Sequence, residues 1–236
     1  MIDPRRCDLC AGLSTVATIH LQIFTSKLAN LHIYERRKRD TPGELMSKCT
    51  IINGVDYGPL AALVGTWSGA KGLDRAPEPD GDEDNPYYET ITFEAAGDVT
   101  NAEEETLAIV HYKQIVKRQS NDEVFHHQVG YWLWDAANNN ITETFTIPRA
   151  VAVVAQGSLA APDNLEQELV FNVSTSAESA DIAQSTFMFN RAKTTGFSHR
   201  ITVKGNLMSY QETTVLDIYG RSNYDHTDAN SLEREA

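Results

Sequence analysis

The sequence predicts an all-β protein, an antiparallel up-and-down barrel of about ten strands preceded by one short helix. Three observations carry this. From about residue 106 onward, apolar residues recur at every second position in short runs, the period of a strand with one buried face. Clusters of Gly, Pro, Asn, Asp and Ser separate the runs and reverse a chain tightly. No long stretch of helical period lies between them, so successive strands are joined by hairpins and run antiparallel. A sheet of this many strands must bury one face and hide its edges, and closure does both. A β-sandwich is the alternative. A ten-stranded barrel is too wide for side chains to fill, so a ligand cavity is expected inside.

The elements follow in order. Residues 1–45 carry seven Lys/Arg against five acids, whereas the 236-residue chain as a whole has a net charge of −13. This shift marks a boundary, with residues 1–45 a poorly ordered extension, Met46 the true start and 46–236 the barrel domain. Within the extension, Arg5-Arg6 precedes a moderately apolar segment, but His20 and Gln22 interrupt it and no small-residue cleavage site follows, against a signal peptide. Cys7 and Cys10 have the spacing of half a zinc site without a second pair. The basic run Arg36–Arg39 reads as a solvated face. Asp56 caps a short helix over 57–63, with Pro59 in its first turn. Strands are expected at 106–117, 126–134, 141–147, 150–156, 165–173, 184–191, 199–203 and 209–219. Turns fall at Gly97-Asp98, Ser120–Asp122, Pro162–Asn164, Thr195-Gly196 and Lys204–Asn206.

Composition narrows the function. Hydrophobic residues are 41% and charged residues 22%, enough for a sizeable core. An excess of 33 acids over 20 bases repels phosphate backbones and argues against a nucleic-acid partner. No run long enough for a transmembrane helix occurs, so no membrane partner is expected. Three cysteines do not make a disulfide framework, which suits a reducing, cytoplasmic setting. Between Asp74 and Pro86 lie six carboxylates, with Asp80, Asp82 and Asp84 at alternate positions. The pattern is reminiscent of a calcium loop, but its Glu and Gly are misplaced for an EF-hand, and it reads as a solvated loop at the barrel mouth. No nucleophile elbow, phosphate loop, HExxH or dinucleotide fingerprint is present. Histidines are the remaining reactive residues. His111, His126, His127 and His199 sit on strands, where a half-exposed sheet residue is the expected role.

Leu63-Val64-Gly65-Thr66-Trp67-Ser68-Gly69 resembles the opening strand of the nitrobindin family, haem-binding β-barrels also found fused to a THAP domain in animals and related in shape to lipocalins and fatty-acid-binding proteins. His126-His-Gln128-Val-Gly130-Tyr131 is similar to a second family strand, and Ile147–Ser158 to a third, closing in Gly-Ser. His226, in Tyr224-Asp-His-Thr-Asp228, stands where the family carries its proximal haem histidine. Lys71 replaces the family's third glycine, and the acidic segment replaces a compact Tyr-Pro-Thr-Ile-like segment beside the haem.

The resemblance implies haem b as cofactor, His226 as its iron ligand, and His126 and Trp67 as further cofactor-site residues. Trp67 plugs the barrel bottom, and Asp225 or a backbone carbonyl orients the His226 ring. Trp132 or Trp134 joins His126 along the cavity. It also implies nitric-oxide binding by the reduced form and isomerisation of peroxynitrite to nitrate by the ferric form. The alternatives are a non-catalytic carrier of an apolar small molecule and a filled barrel acting as an interaction module.

Overall fold

A computed structural model describes residues 49–175 and 181–236. The expectations for residues 1–45, including the Cys7/Cys10 pair, and for a start at Met46 lie outside them. A small hairpin, β1 (Ile51–Ile52) and β2 (Val55–Asp56), leads into a 3-10 helix (Gly58–Ala62). The strands that follow are β3 (Gly65–Glu78), β4 (Gly81–Asn101), β5 (Glu105–Arg118), β6 (Val124–Asp135), β7 (Asn140–Ile147), β8 (Val151–Ser158), β9 (Leu169–Ser174) and β10 (Ile182–Gln184). Helix α1 (Thr186–Arg191) precedes β11 (Ala192–Lys204), β12 (Leu207–Ile218) and β13 (Arg221–Arg234).

Ten of these strands close a ring, β3 to β9 followed by β11, β12 and β13, and β13 returns to β3. Every pairing is antiparallel, so the expected barrel is the one formed. The seam lies between β8 and β9, which share the single pair Gln156↔Ser174. The short β10 lies along the other half of β8, with Ile182 opposite Val153.

One end of the barrel is plugged. The 3-10 helix is fully buried, and the Asp56 carboxylate accepts from Gly58 N at 2.9 Å at its start. Trp67 is inaccessible, and its indole N–H donates to Leu63 O at 2.7 Å. The Arg234 guanidinium lies over the Trp67 ring at 4.1 Å and donates to Ala62 O at 2.8 Å. The C-terminal strand is thereby tied to the plug. Two glycines of β3 admit close neighbours: a Cβ at Gly69 would run into the Ser231 carbonyl, and one at Gly72 into the Tyr87 ring. Packed above the plug are Phe93, Tyr112, Trp132, Phe145, Phe171 and Ile201.

Four local expectations are corrected. Residues 184–191 are the end of β10 and then α1, because the Ser185 hydroxyl caps the helix by accepting from Met188 N at 3.2 Å. Gly97-Asp98 and Thr195-Gly196 are bulges within β4 and β11 rather than turns. The acidic segment is no loop. It is the tip of the β3–β4 hairpin, where Asp82 accepts from Arg75 at 3.0 Å and from Arg221 at 2.8 Å. Asp80 lies in the turn, and Asp82 and Asp84 alternate along the exposed start of β4.

Candidate functional site

The end opposite the plug is open. A cavity of about 760 Å³ lies between the β3–β4 and β12–β13 hairpin ends, the β7–β8 turn and α1. Val116, Phe125, Ile147, Leu216 and Ile218 supply apolar wall, and Phe187 and Met188 of α1 reach over the rim. Arg118 and Arg149 are the cations on its lining.

Its polar wall is set by sheet register. His199, Glu212, Asp228, Asp74 and Asn85 are successive direct partners across β11, β12, β13, β3 and β4. Strand alternation turns this rung inward, and His226 lies two residues before Asp228 on the same face. His226 Nε2 is 2.5 Å from Asp74 Oδ1 and 3.8 Å from Asp228 Oδ2. Asp74 Oδ2 in turn accepts from Asn85 Nδ2 at 3.1 Å. Asp225, two positions from Thr227 on the outer face, is exposed, so Asp74 and not Asp225 orients the His226 ring.

A second histidine faces the same cavity. His126 Nε2 contacts Gln128 Oε1 at 3.2 Å, Gln128 Nε2 donates to the Tyr112 hydroxyl at 2.6 Å, and Tyr112 donates to Glu143 at 2.7 Å. With each donor spent on the next acceptor, His126 carries its proton on Nε2. Glu143 also holds His199 Nδ1 at 2.9 Å. Below the cavity floor, Glu89 accepts from Gln114 at 2.6 Å, Asn230 at 2.7 Å and Tyr210 at 2.8 Å. The Tyr87 and Tyr210 hydroxyls are 2.6 Å apart.

These surroundings separate the ionisable groups. Burial pushes the His126 imidazole down to about 4, and the Gln128 hydrogen bond only partly offsets it. Burial also opposes a proton on His226, but the Asp74 hydrogen bond and the charges of Asp228, Asp74 and Glu212 outweigh it and raise the pKa. Burial lifts Asp228 well above the ordinary carboxylate range and carries Glu212 up to about 7, with His226 and His199 respectively opposing. Glu89 is also raised by burial, against its three hydrogen bonds. At His199 burial is overcome by Glu143, Glu212 and Glu89, and the imidazole is held up to about 8.

His226 and His126, named from the sequence, therefore share one cavity. Trp67 does not line it; it belongs to the plug at the far end. Trp132 and Trp134 are also off the lining, buried in the core, with Trp134 packed on Gly58. His199 is buried rather than half-exposed. His127 faces outward, opposite His126, and His111 lies on the outer face beside Glu94 and Tyr131. Sequence reasoning missed Asp74, Asp228, Glu212, Glu143 and Glu89. The available signal was parity: Glu89 falls in step with Tyr87, Ile91 and Phe93, and Glu143 with Ile141 and Phe145, on faces otherwise apolar.

A wide antiparallel barrel, plugged at one end and opening at the other into a cavity with two histidines, defines a ligand-binding β-barrel. The chain belongs to the family described as THAP4-like, heme-binding beta-barrel domain, whose model matches residues 56–234. This bears out the resemblance carried by the Gly65–Gly69 motif. The chain is similar in structure to Rv2717c from M. tuberculosis, with a TM-score of 0.54 and 17% identity, over 75% of this chain and 95% of that one. At that identity the likeness concerns the fold. No curated protein matches the chain.

Proposed function

We propose that the cavity binds haem b and that His226 is its iron ligand. The observation that carries this reading is the His226–Asp74 pair, an imidazole held by a carboxylate on the wall of a large cavity in a barrel of a haem-binding family. The residues present fit such a group. A volume of about 760 Å³ suits a large planar ligand, and the wall of Val116, Phe125, Ile147, Leu216 and Ile218 buries an apolar ring and excludes water. Arg118 and Arg149 provide the cations that carboxylate side arms require. A carboxylate on one ring nitrogen fixes the tautomer and makes the other nitrogen a stronger donor. With Nε2 bonded to Asp74, that donor is Nδ1, for which no hydrogen bond is formed among the described residues.

Bound haem supplies an iron centre for nitric-oxide binding and for isomerisation of peroxynitrite to nitrate. His126 contributes no proton at neutral pH, because its pKa is near 4 and its Nε2 proton is held by Gln128. It lines the cavity as an acceptor. Trp67 supports the site only by plugging the barrel.

Titration of ferric haem into the full chain tests the reading. A saturable Soret shift at one haem per chain, lost in His226→Ala, supports it. A spectrum that remains that of free haem removes it and favours a carrier of an apolar small molecule, for which the exposed Phe187 at the rim offers an entry surface.

A further inference from the structure

We propose that Asp74, His226 and Asp228 form a binding site for a first-row divalent cation such as Zn²⁺ or Mn²⁺, with coordination positions open to the cavity. The inference goes beyond haem binding and does not rest on it. One ligand atom from each of the three residues lies within 4.8 Å of the other two. The separations of 2.5 and 3.8 Å from Nε2 to the two carboxylates bracket the roughly 3–3.5 Å between ligands that each stand about 2.0–2.2 Å from one ion. Small side-chain rotations therefore suffice. The backbone already holds the set together, because Asp74 and Asp228 are direct partners on β3 and β13 and His226 shares the inward face of β13.

Charge supplies a second argument. Glu212, Asp228 and Asp74 place three carboxyl groups directly opposite one another on consecutive strands, an arrangement in which carboxylates repel unless a proton or a shared cation neutralises them. The Glu212 side chain is only 11% exposed, lines the cavity and forms no hydrogen bond among the described residues. Its ionic partner, His199 Nδ1, is 3.9 Å away and is already bonded to Glu143. A divalent ion brings two positive charges to this wall and binds the carboxylates directionally.

The donor set selects the metal. Two carboxylates and an imidazole, without thiolate, suit Zn²⁺, Mn²⁺ or Fe²⁺. Ca²⁺ demands six to eight oxygens, and Mg²⁺ shares that preference for oxygen alone. The open side of the cavity, of about 760 Å³, leaves room for water or an anion to complete the shell.

The full chain, free of haem, is titrated with Zn²⁺ by calorimetry and with Mn²⁺ by electron paramagnetic resonance. The site predicts one equivalent bound, and affinity reduced roughly tenfold or more in Asp74→Asn and in Asp228→Asn. Absence of stoichiometric binding, or binding that both variants leave unchanged, overturns it. Should a variant fail to fold by circular dichroism, the unaltered chain decides. Zn²⁺ must shift the ring nitrogen resonances of His226, and a shift confined to the outward-facing His111 and His127 overturns the site. None of these readouts involves haem, so each of the two proposals can fail without the other.

Discussion

The His199 ring is buried with Nδ1 2.9 Å from Glu143 and 3.9 Å from Glu212, and this environment ties stability to pH. Its folded pKa of about 8 lies above the ordinary 6.5, so the folded state binds the proton more tightly than the unfolded one. The resulting stability is fully present below pH 6.5 and is lost as pH rises through 8. The shift corresponds to about 2 kcal/mol. His226 and Glu212, also raised, act in the same direction, whereas the depressed His126 acts oppositely but only below 6.5. Urea unfolding should show stability falling between pH 6.5 and 8, with a shallower slope in His199→Gln. A rise over that window would contradict the assignment. Trp67 makes a prediction of another kind. Trp67→Ala removes an inaccessible indole, its hydrogen bond to Leu63 and the stacked Arg234, and should cost about 3–5 kcal/mol in the same measurement. The position of His226 on the cavity wall was legible in the sequence, because it follows the family motifs in chain order. Asp74 and Asp228 were not, because a buried carboxylate in a polar stretch looks like a solvated one until register places it across from another.

Among the elements, β5 and β12 were readable because their inward faces carry Val110, Tyr112 and Val116, or Met208 and Tyr210, at strict alternation. Strand β13 was not. Its inward positions hold His226, Asp228 and Asn230, so the period-two signal exists in polar residues that a hydrophobicity reading discards. Helix α1 was misread for a related reason: Phe187 and Phe189 alternate as a strand would, yet both are exposed and the Ser185 cap decides the conformation. Ser185→Ala should therefore loosen α1 by about 1 kcal/mol, seen as faster amide exchange at Met188 while the barrel strands are unaffected. Gly130 tests a close approach between elements. A Cβ there would meet the Thr144 carbonyl and Phe145 backbone, so Gly130→Ala must push β7 away from β6. The expected loss is at least about 2 kcal/mol, and an unchanged melting temperature would show that the pair can yield.

For the whole molecule, an overall barrel was legible because alternation, tight turns and the absence of helical crossovers all point to closure, and a ten-stranded ring leaves space its apolar residues cannot fill. What the sequence did not reveal is how that space is divided. Aromatic residues and the 3-10 helix fill one end, a belt of hydrogen-bonded carboxylates and hydroxyls crosses the middle, and the cavity occupies the other end. The weakest point of the ring is the β8–β9 seam with its single backbone pair. Gly157 permits even that approach, since a Cβ there would strike the Asn172 carbonyl. Trp132 and Trp134, expected along the cavity, lie instead in the filled end, packed in the apolar core. The cavity is left to His126, His226 and the acidic rung.

The visible spectrum of the full chain titrated with ferric haem reaches the functional reading most directly. A Soret band that shifts and saturates at one haem per chain, and that His226→Ala abolishes while His126→Ala retains it, is the predicted result. A shift that survives His226→Ala would move the iron ligand elsewhere in the cavity, and a spectrum identical to free haem throughout would contradict haem binding by this barrel.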